Sequence, residues 1–246
     1  FYEYMGGGIY LNAANVTFSN VIISNNYALK DGGGMFIRNN SNSTFNSVSI
    51  IDNTAERYAG AIAIHENNND IIMNNLTVTG NHAIDSGAIL ISDSNLLLNN
   101  SIIWNNDANP FLTSPNAEIC ENCDQEMFYY NDCNIQECIG NYMPGEIQIT
   151  YSDIEGGFSG EENIAVDPLF TDPGNGDYTL QAGSPCIDAG MIIEDMPYCG
   201  EAPDMGAFEF IIEDCEILSD NVNEVSPISY QLQPAFPNPF NPVTTI

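Results

Sequence analysis

The chain has 246 residues, 43% of them hydrophobic, enough for one elongated domain with its own core. Thirty-four acids stand against three bases, a formal net charge of −31. That balance argues against nucleic acid and anionic membranes as partners, since both need clustered Lys and Arg. It suits a solvated protein in a salty or extracellular medium, with no cofactor required and Ca2+ the one cation the surface could take.

No run of 18 apolar residues occurs, so no membrane-spanning segment is expected. No signal peptide is visible, and the chain opens and closes in mid-pattern, which reads as a fragment. From the start, a repeat of about 27 residues recurs four times through residue 108. Each copy opens on a small-residue step: Gly7-Gly8-Ile9, Gly33-Gly34-Met35, Gly60-Ala61-Ile62 and Gly87-Ala88-Ile89. Each closes on Asn then Ala two residues later, at Asn26, Asn53, Asn81 and Asn106.

Between these marks the apolar residues alternate, the signature of strands with one buried face. The first strand gives inward columns Ile9, Met35, Ile62, Ile89 and Leu11, Ile37, Ile64, Ile91. The second gives Val16, Ser43, Ile71, Leu96 and Phe18, Phe45, Met73, Leu98. The third gives Val21, Val48, Leu76, Ser101 and Ile23, Ile50, Val78, Ile103. The spacing predicts an all-β fold of three parallel sheets, stacked as a solenoid around a narrow core. The closing column Asn26, Asn53, Asn81, Asn106 is expected to form an amide ladder at a turn, where Asn also tolerates the left-handed conformation. A second turn column, Asn20, Ser47, Asn75, Asn100, is read the same way.

All three bases flank the first strand: Lys30 and Arg57 precede it in adjacent coils, and Arg38 and, in the next coil, His65 follow it. Outward on that strand stand Tyr10, Phe36, Ala63 and Leu90. An aromatic strip edged by cations could hold sugar rings, so Tyr10, Phe36, Lys30, Arg57, Arg38 and His65 form the candidate ligand face. The plainer alternative pairs these bases with Asp31, Glu56 and Glu66 on a solvated rim. Outward on the third strand are Thr79, expected to tolerate change, and Trp104, expected to pack under the segment 109–146.

In that segment the repeat breaks, with Cys120, Cys123, Cys133 and Cys138 in a C-x2-C-x9-C-x4-C pattern. Disulfides, a zinc knuckle and free thiols all remain open; acidic neighbours disfavour thiolates, so disulfides are the expectation. Cys186 and Cys199 are a candidate third bridge, with Cys215 left over. The strand pattern resumes at Ile147. The turn Asp172–Asp177 matches a calcium loop only in composition. Residues 211–229 read as a polar linker.

The repeats resemble the right-handed parallel β-helix proteins of bacterial surfaces, which include polysaccharide lyases, adhesins and many uncharacterised exported proteins. Tyr151–Gly157, Asp167–Phe170, Gly176–Gly190 and Pro203–Glu209 look like the terminal coils and cap of that family. The resemblance implies a β-helix over 1–210, with the insertion at 109–146 and the terminal coils and cap at 147–210. The tail from Tyr230, with Pro237-Asn-Pro-Phe-Asn-Pro242, is similar to the start of the sorting domain of type IX secretion. Residues 230–246 would be its truncated first part, which implies a secreted or surface-anchored protein and the secretion machinery as a partner.

No catalytic constellation is written plainly. Lyases of this scaffold abstract a proton with Arg, Lys or Tyr, often beside Ca2+, and its hydrolases use clustered Asp. The expectation is therefore noncatalytic adhesion or binding of extracellular polysaccharide. A polysaccharide lyase or glycoside hydrolase is the second reading, and a passive structural spacer the third.

Overall fold

The computed structural model describes residues 5–65, 68–84, 86–92, 94–108, 119–121, 146–211 and 215. It is an all-β parallel solenoid. The first coil contributes β1 (Ile9–Asn12), β2 (Thr17–Ser24) and β3 (Tyr27–Ala28). The second contributes β4 (Met35–Arg38), β5 (Thr44–Ile51) and β6 (Thr54–Ala55). The third contributes β7 (Ile62–His65), β8 (Asn68–Thr79) and β9 (His82–Ala83). The fourth contributes β10 (Ile89–Ile91), β11 (Ser94–Asn99), β12 (Ile102–Trp104) and β13 (Asp107–Ala108). A fifth is assembled from β14 (Ile119–Glu121), β15 (Ile147–Thr150) and β16 (Asp153–Ile154). An antiparallel pair, β17 (Phe170–Asp172) and β18 (Asp177–Leu180), comes after it.

Every coil-to-coil pairing is parallel, with the repeat register kept in Ile9↔Met35, Met35↔Ile62 and Ile62↔Ile89 and one shift, between Ser94 and Leu96, where β11 pairs with β8. Phe18, Phe45, Met73 and Leu98 stack as one column. The inward columns form one continuous core in which Met35, Ile37, Phe45, Ile64, Met73 and Leu98 are wholly buried. Its two polar members are also satisfied. Ser43 Oγ donates to Ala14 O at 3.1 Å and Ser101 Oγ to Asn99 O at 2.8 Å, while each accepts a backbone N–H from the coil before.

The division into sheets differs from the sequence reading. The second and third strands are one bent strand in the first three coils, and their seven strands form a single long sheet. The bend falls at Asn20, Ser47, Asn75 and Asn100, all at φ between 50° and 55°. A single left-handed residue turns the chain while pairing continues on both sides of it. The third sheet is instead built from the short closing strands β3, β6, β9 and β13. At the closing turn, the left-handed residue is the one before each ladder Asn: Asn25, Asp52, Gly80 and Asn105.

The insertion also re-enters the fold. β14 pairs with β10 and extends the first sheet by one strand, Leu90 opposite Cys120. Cys123, Cys133 and Cys138 lie outside the described residues, as do the 216–246 stretch and its Pro-rich motif. Among the described residues, no helix is long and apolar enough to cross a membrane.

Past Ile154 the chain crosses the end of the stack, where Phe158 packs against the main core. Asn163 ties this segment down, donating to Ile149 O at 2.9 Å and accepting from Ser152 N at 3.0 Å. From Pro168 to Phe210 the chain lies along the flank of earlier coils. A second apolar cluster forms there between Ile51 and Ile102 of the long sheet and Phe170, Tyr178, Leu180, Cys186 and Met205 of this segment.

Candidate functional site

The closing ladder is the most regular polar feature. The backbone N–H and Nδ2 of Asn26 both donate to Asn53 Oδ1, at 3.0 and 2.9 Å. Asn53 donates likewise to Asn81 Oδ1 at 3.0 and 2.9 Å, and Asn81 to Asn106 Oδ1 at 3.1 and 2.8 Å. Each amide also reaches the carbonyl two residues before it, and Asn53 and Asn81 are fully buried. These amides are structural: the buried Asn53 and Asn81 spend their donors and acceptors on the neighbouring coils and on their own turn.

The openers owe their glycines to the same stacking. A Cβ on Gly33 would stand 2.4 Å from Gly60 O and 2.6 Å from the Thr54 carbonyl carbon. On Gly60 it would stand 2.5 Å from Gly87 O.

The outer wall of the first sheet is more closed than the sequence reading has it. Its rings stack, Tyr10 on Phe36 at 5.6 Å and Phe36 on His65 at 5.2 Å. Phe36 is only 2% exposed, packed with Ala59, Ala63, Leu90, Met5 and Tyr58, and Arg38 is 7% exposed. Neither offers itself to a ligand as expected, because neighbouring side chains close over this wall. Arg57 makes a bidentate contact with buried Asp31, Nε–Oδ1 2.8 Å and Nη2–Oδ2 2.5 Å, and its guanidinium lies 4.7 Å from the Tyr58 ring centre. This is the pairing of the plainer alternative. Of the six candidates, Tyr10 and Arg57 are exposed, Lys30 and His65 half-buried.

The open wall is on the long sheet. Thr17, Thr44, Ile72, Leu97 and Gln148 stand in register, half-buried or exposed. Ile72, Asn95, Leu97, Glu146 and Gln148 line a shallow groove of about 260 Å³. Beside this column runs a second ladder that sequence reasoning missed. Asn74 Nδ2 donates to Asn46 Oδ1 at 3.0 Å, Asn99 Nδ2 to Asn74 Oδ1 at 3.0 Å, and Thr150 Oγ1 to Asn99 Oδ1 at 2.8 Å. The signal was present as a polar residue at one fixed repeat position: Asn46, Asn74 and Asn99.

The remaining wall is covered by the C-terminal segment. Thr79 is 1% exposed and its hydroxyl has no partner among the described residues, so it is not the open position expected. Trp104 packs in the flank cluster with the C-terminal segment, while most of the 109–146 segment expected to cover it lies outside the described residues. The segment is sewn on by backbone-directed bonds: Asn75 Nδ2 to Asp204 O at 3.0 Å, Asn100 Nδ2 to Met191 O at 2.8 Å and Ala207 N to Thr77 Oγ1 at 2.9 Å.

Three buried or half-buried carboxylates, two in this segment and one on the fifth coil, hold backbone. Asp204 accepts from Asp188 N at 2.8 Å and Phe210 N at 2.5 Å. Glu209 accepts from Cys199 N at 3.1 Å and Asp204 N at 3.2 Å. Asp153, on β16, accepts from Val166 N at 3.1 Å and from the Cys186 thiol at 3.3 Å. Burial raises all three, Asp153 to about 6 and Glu209 to about 7, with Asp204 raised in the same direction. Burial first, then the Asp153 charge, pushes the Cys186 thiol up, so it is an inert thiol.

Cys186 does not bridge Cys199. The partner of Cys199 is Cys215, with Cα atoms 5.7 Å apart, while Cys186 is a free thiol turned into the flank cluster. Among the described residues, no group of three or more His, Cys, Asp or Glu side chains is disposed to hold a metal ion. No family model, curated protein or solved structure matches the chain.

Proposed function

We propose that this chain is a noncatalytic module that binds extracellular polysaccharide or another surface along the outer wall of its long sheet. The observation carrying this reading is the uncharged column Thr17, Thr44, Ile72, Leu97 and Gln148, aligned at one residue per coil. Hydroxyl, aliphatic and amide groups repeating about 4.8 Å apart suit a neutral or weakly charged polymer, which can slide between equivalent subsites. A polyanion facing a −31 chain would need Ca2+ to bridge it. The perturbed carboxylates support a noncatalytic reading, since Asp153, Asp204 and Glu209 are occupied by backbone N–H groups.

The protein is secreted or displayed on the outer cell surface in this reading. A disulfide between Cys199 and Cys215 fits an oxidising compartment, and the Pro237–Pro242 motif fits delivery by type IX secretion.

A glycan array probed with and without Ca2+ tests the proposal. Binding is expected, weakened by Leu97→Ala and Gln148→Ala and unchanged by Tyr10→Ala. Unsaturated products absorbing in the ultraviolet, or new reducing ends, would replace it with a lyase or hydrolase. A blank array in both conditions would leave the spacer.

A further inference from the structure

One loop of the C-terminal segment stands at the border of the open wall. Its root is Met191, whose N–H donates to Asn100 Oδ1 and whose carbonyl accepts from Asn100 Nδ2, both at 2.8 Å. Asn100 is the bend residue of the fourth coil, where the open side of the long sheet passes into the covered side. The Met191 sulfur lies 3.9 Å from Thr150 Oγ1, and Thr150 ends the ladder of Asn46, Asn74 and Asn99 on the open side. Gln148 stands two residues before Thr150 on the same strand face, about 7 Å away. The loop root is therefore one column from Leu97 and Gln148.

The loop is held at both ends. Gly190 N donates to Pro203 O at 2.7 Å, and a Cβ on Gly190 would stand 3.0 Å from Asn100 Cγ, so the root is pressed onto the bend. Met196 N donates to Ile193 O at 3.2 Å across the tip. At the far end, Cys199 N donates to Glu209 Oε2 at 3.1 Å and its sulfur bonds to Cys215. Between these anchors Ile192 is 62% exposed, and Ile193, Met196 and Tyr198 are half-buried. None of the four belongs to an apolar cluster of the described residues, although Ile187 and Ala189 just before them do. Apolar side chains that the core does not use are thus presented on a fixed loop beside the wall.

The same loop carries charge. Glu194 and Asp195 are exposed at its tip, and Glu146 is exposed on the opposite margin of the wall. Glu194 is three residues from Met191, hence at most about 10 Å away along the chain, which is about one Debye length at physiological salt. No Lys, Arg or His occurs from 146 to 211 to offset these carboxylates.

From this we propose that residues 191–198 form a lip that sets the specificity of the long-sheet wall for neutral polysaccharide. Ile192 and Tyr198 meet the apolar C–H face of a sugar ring lying over Leu97 and Gln148, on a loop already ordered for that contact. Glu194 and Asp195 repel polymers bearing carboxylate or sulfate. The lip rests on the reading of that wall as a polysaccharide site, and deepens it by naming the class of polymer taken and the class refused.

Affinity electrophoresis of the full chain tests it, with xyloglucan and mixed-linkage glucan as neutral probes and polygalacturonate as the anionic one, all with Ca2+ chelated. The parent should bind a neutral probe and be retarded less by polygalacturonate. Ile192→Ser, at an exposed position that leaves the core untouched, should weaken neutral binding about fivefold or more, and Tyr198→Ala likewise. Glu194→Gln/Asp195→Asn should shift the preference toward polygalacturonate by about threefold or more at low salt, and by less at high salt. Neutral binding that is weakened by Leu97→Ala but indifferent to Ile192→Ser and Tyr198→Ala overturns the lip and leaves the wall standing. So does a preference that the double variant does not move. A parent that binds none of the probes, or binds them undiminished by Leu97→Ala, overturns the reading of the wall and the lip with it.

Discussion

Each coil is held to the next by a few residues whose side chains have no freedom left. Asn53 donates from both its nitrogens into Asn81 and accepts from both nitrogens of Asn26, all within a fully buried turn. Asn53→Ala leaves those groups unpaired and should destabilise by about 1–3 kcal/mol in denaturant melts. Gly33→Ala should cost at least as much, because its Cβ meets backbone of the next coil, which cannot step aside. Thr79 gives the opposite case. Its hydroxyl is buried and has no partner among the described residues, so Thr79→Val keeps the shape and removes a desolvated group. Melting should show it neutral or stabilising by up to about 1 kcal/mol, while a loss above that size would mean the hydroxyl is bonded in solution.

At the level of elements, the C-terminal segment and β16 beside it carry the titrations that matter. The carboxyls of Asp153 and Glu209 are raised to about 6 and about 7 in the folded state by burial, and Asp204 moves the same way. In the unfolded chain they would titrate near the ordinary value of about 4. Between those limits the folded protein binds more protons, so stability falls as pH rises. The melting temperature should therefore climb as pH is lowered from about 7.5 to about 5, and Glu209→Gln should flatten that slope. A melting temperature that falls over this interval would show these carboxylates ionised and well solvated. The disulfide acts on the same segment. Cys215→Ser opens a loop of 16 residues and should cost about 3 kcal/mol, read from the loss of stability relative to the oxidised parent.

The element scale also marks where the sequence was legible. Columns such as Phe18, Phe45, Met73 and Leu98 could be read in advance because each coil writes the same alternation at the same spacing. The merging of second and third strands was not legible, since Asn20 and its equivalents signal a left-handed residue without saying whether pairing survives it. Burial of Phe36 and Thr79 was hidden for another reason. Local alternation reports which side of a strand faces the core, but not whether another part of the chain covers the other side. The choice of Cys215 over Cys186 likewise depends on where a distant segment passes.

The whole molecule departs from a simple stack in one respect that bears on its unfolding. Repeat solenoids usually contact only nearest neighbours, so coils can fray one after another. Here the C-terminal segment bonds to Thr77 and Asn75 of the third coil and Asn100 of the fourth, and packs on Ile51 of the second. It spans the coils as a strap, and opening any one of them must release it. The second to fourth coils should then exchange their amide hydrogens with one common free energy of opening, whereas the first coil, beyond the strap and with Ile22 uncovered, should exchange sooner. Replacing Thr77 by Val removes the bond to Ala207 N and should lower protection in the second and fourth coils as well as in its own. Protection lost only in the third coil would mean that the strap follows the coils and does not join them.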